Sequence, residues 1–171
     1  MNVDAEIEWA WVRLEDLSVK EWHHVISLRQ AVFVVEQDCP YLDADALDLC
    51  SWHLIGWSGS GDLVSDSRGD LGRAAIAYLR VVDADAKYEE CSIGRLLIRS
   101  SHRGVGLGHR LMKEVMRLIT EAYPGQPIRI SAQEHLQGFY HGYGFVQVGD
   151  VYDEDGIPHI EMLASQSLSG H

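Results

Sequence analysis

Polar and apolar residues alternate from Glu6 to Arg13, with aromatic side chains among them, a period-2 pattern that predicts a first strand. From Ser18 the period changes. Trp22, Val25, Ile26, Leu28, Val32 and Phe33 recur at helical spacing and carry a helix to about Val35, its far end weakened by the β-branched run Val-Phe-Val-Val. Residues Glu36 to Cys50 read as a loop. Trp52 to Trp57 and Arg73 to Val82 predict paired strands, joined by a long Gly/Ser/Asp-rich stretch over Ser58 to Gly72 with room for a short strand at Leu63 to Val64. Ser92 to Ile98 is mostly apolar, as a strand buried on both faces should be.

A glycine-rich loop, Arg103-Gly104-Val105-Gly106-Leu107-Gly108, then opens a second helix. Its apolar face is Leu111, Met112, Val115, Met116, Leu118, Ile119 and Ala122, with Arg110, Lys113, Glu114 and Arg117 opposite. Pro124-Gly125 stops it. Pro127 to Ala132 predicts a strand, His135 to Tyr143 a short helix ended by Gly144, and Phe145 to Tyr152 with His159 to Ala164 a hairpin across Asp-Glu-Asp-Gly-Ile-Pro. This order implies an α/β fold with helices around a mixed central sheet.

At 171 residues and 46% hydrophobic, the chain is expected to form one domain spanning residues 1–171. A formal charge of −12 disfavours nucleic acid and anionic membranes as partners and suits a cationic or amine-bearing one. Cys39, Cys50 and Cys91 are odd in number and lack CxxC spacing, so neither a disulfide framework nor a zinc cluster is implied. The acidic N-terminal stretch is no secretory signal, and no apolar run approaches the ~18 residues of a membrane span, so a cytoplasmic location is expected.

Metal chemistry finds little support. Asp43-x-Asp45 begins like a calcium loop, but Asp48 stands where glycine is needed and Leu54 where glutamate is needed. The histidine spacings place no pair on one helix face, so no zinc site, and no metal cofactor, is expected. The acidic runs Asp43, Asp45, Asp48 and Asp153, Glu154, Asp155 read as solvated loops or as attractors of a cationic substrate.

The glycine loop carries more. Glycines ahead of a helix let backbone approach a ligand, and the first helical N–H groups carry partial positive charge, so the junction favours phosphate. A P-loop requires Lys-Ser/Thr after its last glycine, where this chain has His109-Arg110. A dinucleotide fingerprint requires GxGxxG early in a βαβ unit, where this chain has GxGxG late. The pattern Arg103-x-x-Gly106-x-Gly108 instead resembles the acyl-CoA pyrophosphate loop of the GNAT acetyltransferase superfamily. Phe139-Tyr140-His141-Gly142-Tyr143-Gly144-Phe145 resembles that superfamily's F-Y-x-x-x-G-F helix, and the stretches AVFVVEQDCPY, HLQGFY and YDEDGIPHIEM look like its ElaA-type branch.

That resemblance covers about Trp11 to Ala164 and implies the GNAT acyl-CoA N-acyltransferase fold, with acetyl-CoA as co-substrate and a primary amine as acceptor, on a small molecule or a protein. It implies that the backbone of Arg103, Gly104, Val105, Gly106, Leu107, Gly108 and His109 holds the pyrophosphate. The pantetheine arm would run beside Leu96 and Ile98, with an N–H near Leu96 polarising the thioester, and Gln133 would meet the arm where many members carry asparagine. Tyr140 would be the general acid that protonates the leaving thiolate, since a phenol near pKa ~10 stays protonated beside a thiol near ~8.5. The base stays open between Glu36, His53, Glu154 and His159. An acyl-cysteine route through Cys91, a longer acyl-CoA, a non-catalytic acyl-CoA-binding module and a homodimer are the other readings.

Overall fold

A computed structural model describes residues 7–59, 64–65 and 71–166. In chain order the first elements are β1 (Glu8–Arg13), α1 (Val19–Arg29), β2 (Ser51–Trp57), β3 (Val64–Ser65), β4 (Leu71–Gly72), β5 (Ala75–Val82) and β6 (Cys91–Ile98). There follow α2 (Leu107–Ala122), β7 (Ile128–Gln133), α3 (Gln137–His141), β8 (Phe145–Glu154) and β9 (Ile157–Ala164). Seven strands form one mixed sheet in the order β1-β2-β5-β6-β7-β9-β8, and β3 pairs only with β4. All pairs are antiparallel except β6 with β7.

Helices cover both faces. The amphipathic stripe of α2 places Leu111, Met112, Val115 and Ile119, all fully buried, against Leu79, Val81, Ile128, Ile130 and Met162 of the sheet. Burial of that kind contributes roughly 1.5 to 3 kcal/mol per large apolar side chain. On the other face Val25 and Leu28 of α1 meet Ile55, Trp57, Tyr78 and Leu97. Ser18 starts α1 through a capping box: its Oγ accepts from the Glu21 amide at 3.2 Å while its own amide donates to Glu21 at 2.9 Å. Every residue of β5 is buried, as its mostly apolar sequence requires at the centre of the sheet, with Arg80 the one charge among them. No helix among the described residues is long and apolar enough to cross a membrane.

The departures from expectation are local. The α-helical part of the first helix ends at Arg29, and residues Gln30–Glu36 continue it as a π-helix, a wider turn that coincides with the β-branched run. The expected helix His135 to Tyr143 divides into a 3-10 turn, Glu134–Leu136, and the short α3. Between Ser58 and Gly72 the short strand is Val64–Ser65; Leu63 lies outside the described residues. The last hairpin turns on two residues, Asp155 and Gly156, both at positive φ (55° and 79°), with Glu154 opposite Ile157. An Asp-Gly pair is what a two-residue turn of this hand favours, and it fixes the register of β8 on β9.

Candidate active site

β6 and β7 pair only through Cys91–Ile128, Ser92–Arg129 and Ile93–Ile130. Beyond that point residues 94–98 stay with β5 and residues 131–133 stay with β9, so the two strands part and the inner edge of β6 loses its strand partner. A bulge sharpens the parting: Tyr78 faces Leu97 and Arg80 faces Gly94, so Leu79 alone is set against Arg95 and Leu96, and Arg95 takes φ 56°. A cleft of about 350 Å³ opens there, lined by Gly94, Leu96, Ala132, Gln133, Leu136 and Tyr140. Its size suits a small-molecule site. Of the two strand residues expected beside the cofactor arm, Leu96 lines the cleft and Ile98 lies at the end of β6 toward the glycine loop.

The glycine loop follows directly. Gly104 and Gly106 hold φ 80° and 77°, a backbone that side chains disfavour, and Gly106 caps α2. His109 and Arg110 both donate back to the Gly106 carbonyl, at 3.1 and 3.2 Å. Among the described residues, the amides of Gly104 to Gly108 have no backbone acceptor, so they form a concentration of donors at a positive helix end. The Arg103 guanidinium turns back on its own chain, donating to the Ile98 carbonyl at 2.9 Å and to the Glu36 carboxylate. His109 packs on Phe139, centroids 4.9 Å apart, and its Nδ1 lies 2.7 Å from the Tyr143 hydroxyl, which ties the loop to the segment that carries Tyr140.

Tyr140 sits on α3 with 7% of its surface exposed, edge-on to Phe139 and Phe145. Burial pushes its phenol up to about 12. The residue therefore offers a proton at neutral pH and does not compete as a base.

The four base candidates separate. Glu36 accepts from Arg103, which holds its carboxyl below the usual value, and it lies at the loop end of the site, outside the cleft lining. That weakens it as a base. His53 is fully buried, with Nε2 3.0 Å from the Asp48 carbonyl and Nδ1 2.8 Å from the Tyr78 hydroxyl. A carbonyl only accepts, so Nε2 carries the hydrogen and Nδ1 accepts from Tyr78; burial holds the imidazole neutral and both nitrogens are engaged. Glu154 and His159 line the cleft. Glu154 accepts from Ser131 at 3.2 Å, and Ser131 also bonds the Tyr152 hydroxyl.

The run Asp43, Asp45, Asp48 is neither a solvated loop nor a substrate attractor. Asp43 and Asp48 are buried, and the three carboxylates are matched by three guanidiniums. Arg29 donates to Asp43 and Asp48 at 2.7 Å each, Arg80 to Asp45 and Asp48 at 2.5 and 2.7 Å, and Arg95 to Asp43 at 2.7 Å. For Asp48 burial alone would raise the carboxyl, but its bonds from Arg29 and Arg80 outweigh this and hold it below the ordinary value. The network fastens the loop after α1 to the β6 bulge through Arg95. Its signal in the sequence is Arg80 inside the otherwise apolar strand AIAYLRVV, a charge that must find a partner.

Cys91 is fully buried, its thiol pushed up to about 12, mainly by burial, so it carries no thiolate at neutral pH. Tyr41 and Tyr88 also line the cleft and escaped sequence reasoning, because a tyrosine in a loop bears no spacing signal. Among the described residues no group of three or more His, Cys, Asp or Glu side chains is arranged to hold a metal.

An acetyltransferase (GNAT) domain profile matches residues 76–165, the span that contains the bulge, the glycine loop and α3. The chain is 42% identical to a UPF0039 protein of Synechocystis, over 92% of this chain and 95% of that one. It is 39% identical to the protein ElaA of Escherichia coli, over 91% and 95%. Among solved structures, an acyl-CoA N-acyltransferase from Pseudomonas aeruginosa superposes with a TM-score of 0.80 at 40% identity, covering 93% of this chain and 99% of that one. The crystal structure of Escherichia coli ElaA gives 0.78 at 38%, with the same coverage. The mixed sheet, its parting strands and these likenesses agree: the chain belongs to the GNAT acetyltransferase family and is an acyltransferase whose co-substrate is an acyl-CoA.

Proposed function

We propose that the protein transfers an acetyl group from acetyl-CoA to a primary amine, directly within a ternary complex. One observation carries this reading: Tyr140, buried and protonated, lines a cleft between parting strands, and β6, which walls that cleft, runs on within a few residues into an amide-rich glycine loop. The loop amides of Gly104 to Gly108 hold the diphosphate, and the free edge of β6 takes the arm as an added strand, with Gln133 across from it. A main-chain N–H near Leu96 polarises the thioester carbonyl. Tyr140 gives its proton to the departing sulfur.

The acceptor enters from the side lined by Tyr88, Glu154 and His159. Glu154 and Asp155 favour a cationic amine there, in keeping with the chain's net charge of −12. Cys91, buried and protonated, takes no part. The acceptor is an amine on a small molecule or an exposed protein amine, met in the cytoplasm.

The test is thiol release from acetyl-CoA over a panel of diamines, amino acids and peptide N-termini, repeated with a longer acyl-CoA. Acetyl-CoA with at least one amine should exceed the amine-free blank by tenfold or more. Coenzyme A binding with no release for any amine would identify a non-catalytic binding module instead. In thermal shift, acetyl-CoA at one hundred times its Kd should stabilise the fold by about 2.7 kcal/mol. Greater stabilisation by ATP would make the loop a nucleotide site.

A further inference from the structure

The hairpin of β8 and β9 sets His159 between two neighbours. Gln133 is its partner on β7 and Tyr152 its partner on β8, the Tyr152 ring lying 6.0 Å away, centroid to centroid. His159 Nδ1 is 2.8 Å from the carbonyl oxygen of Ile157. Because that oxygen can only accept, Nδ1 bears the hydrogen and Nε2 keeps its lone pair. His159 and Tyr140 line the same cleft.

The other candidates lack this combination. Glu36 is drawn to Arg103, His53 has both nitrogens engaged in the core, and Glu154 accepts from Ser131 on the exposed rim. The imidazole is oriented within its own strand, where Nδ1 meets the carbonyl of Ile157 two residues earlier on β9, while the strand register sets Gln133 and Tyr152 on either side of it.

We infer that His159, through Nε2, is the general base that takes the proton from the attacking amine, an assignment that rests on the amine-transfer reading above. The amine nitrogen forms its bond to the acyl carbon, and its proton passes to Nε2 directly or through one water. The carbon–sulfur bond then breaks, and the sulfur takes the proton of Tyr140. Water returns the imidazolium proton to the phenolate, so the protein ends unchanged and nothing further is consumed. The titratable and polar groups of the elements packed beside His159 are Tyr152 and Glu154 on β8, Ser131 and Gln133 on β7 and Glu161 on the same strand, with Asp155, Tyr88 and Lys87 in the cleft lining.

The test is the pH dependence of kcat/KM for the intact protein, His159→Gln and His159→Ala. For the unaltered protein, log kcat/KM should fall with slope one below the amine pKa, and steepen to slope two when the base protonates as well. His159→Gln should keep slope one throughout, with kcat lower by at least about 100-fold, the lower end of the span that general bases contribute. Added imidazoles should restore His159→Ala, the more basic ones better, while coenzyme A affinity of both variants stays within threefold. A purely structural histidine would show no such rescue. Unchanged kcat in His159→Gln, or a slope that never exceeds one in the unaltered protein, would overturn the assignment while leaving the transfer reading intact. Absence of thiol release from the unaltered protein with every amine would remove the transfer reading, and this assignment with it.

Discussion

Tyr140→Phe removes one oxygen and leaves the ring contacts to Phe139 and Phe145, at 5.1 and 6.2 Å, in place, so the change should read chemistry and spare the fold. Burial has pushed the phenol up to about 12, well above the ~8.5 of a thiol in water. Full proton transfer to a solvated thiolate would then be uphill by roughly 5 kcal/mol, at 1.36 kcal/mol per pH unit. The same desolvation raises the thiol of the departing coenzyme A, however, which closes most of that gap. On the proposed mechanism Tyr140 would therefore act first as a hydrogen-bond donor to sulfur as charge develops, with the proton following as the bond breaks. A hydrogen bond to a charged group is worth about 1.5 to 3 kcal/mol, and its loss from the transition state slows turnover by roughly 12- to 160-fold. Thiol release at saturating acetyl-CoA and amine measures kcat, and calorimetry measures coenzyme A affinity. We expect kcat to fall within that range with Kd unchanged within threefold, and no alkaline limb from Tyr140 in the unaltered protein up to pH 10. A variant whose kcat stays within twofold would refute the role.

Three further outcomes concern the frame around the site. Arg29→Met leaves Asp43 and Asp48 short of a partner in the core and should destabilise by about 3 to 5 kcal/mol. For 171 residues, at about 2.1 cal/mol/K each, that is a Tm lower by about 8 to 14 °C in calorimetry, and a drop under 3 °C would mean that the network contributes little. Gly106→Ala meets open space but holds φ 77°, so left-handed strain of about 1 to 2 kcal/mol should lower Tm by about 3 to 6 °C; an unchanged Tm would contradict the strain. Burial keeps the His53 imidazole below its ordinary value, so between ~6.5 and the lower folded value the unfolded chain binds the extra proton. Stability from this source is complete above that window and lost as pH falls through it, by up to about 1.4 kcal/mol per pH unit. His53→Gln should flatten the decline in Tm between pH 7 and 5.5, and an equal decline would assign it to other groups.

Period and punctuation were enough to read most elements from the chain. The α2 stripe, the mostly apolar run of β5 and the Asp-Gly turn each obey a local rule, and each appears within a few residues of its expected place. The π-helical end of the first helix does not, because hydrophobic periodicity cannot distinguish a wider turn from an α-turn over seven residues. The glycine loop and Tyr140 stood out because their motifs are contiguous. His159 was legible only as one of four candidate bases, since the two residues that flank it, Gln133 and Tyr152, are distant in sequence and adjacent only through strand register. The acidic loop misled for a related reason: three aspartates look solvated until the fold brings Arg29, Arg80 and Arg95 to them from three different elements.

Net charge, too, speaks differently once it is placed. A chain at −12 repels a phosphate polymer, yet the proposed co-substrate carries phosphates of its own. The resolution is that charge is sorted over the surface. The glycine loop after β6 carries donor amides and leads into the exposed Arg110 and Lys113 of α2, and Glu36 beside it is held by Arg103. Within the core three aspartates are matched by three arginines and contribute no net field. Glu154 and Asp155 line the cleft wall. On the proposed reading an anion would be received by short-range backbone donors and a cationic amine by the acidic side chains of the wall, both at ranges where the net field, screened beyond about 8 to 10 Å, decides little. On that reading the two substrates would meet at the part of the cleft lined by Tyr140 and His159.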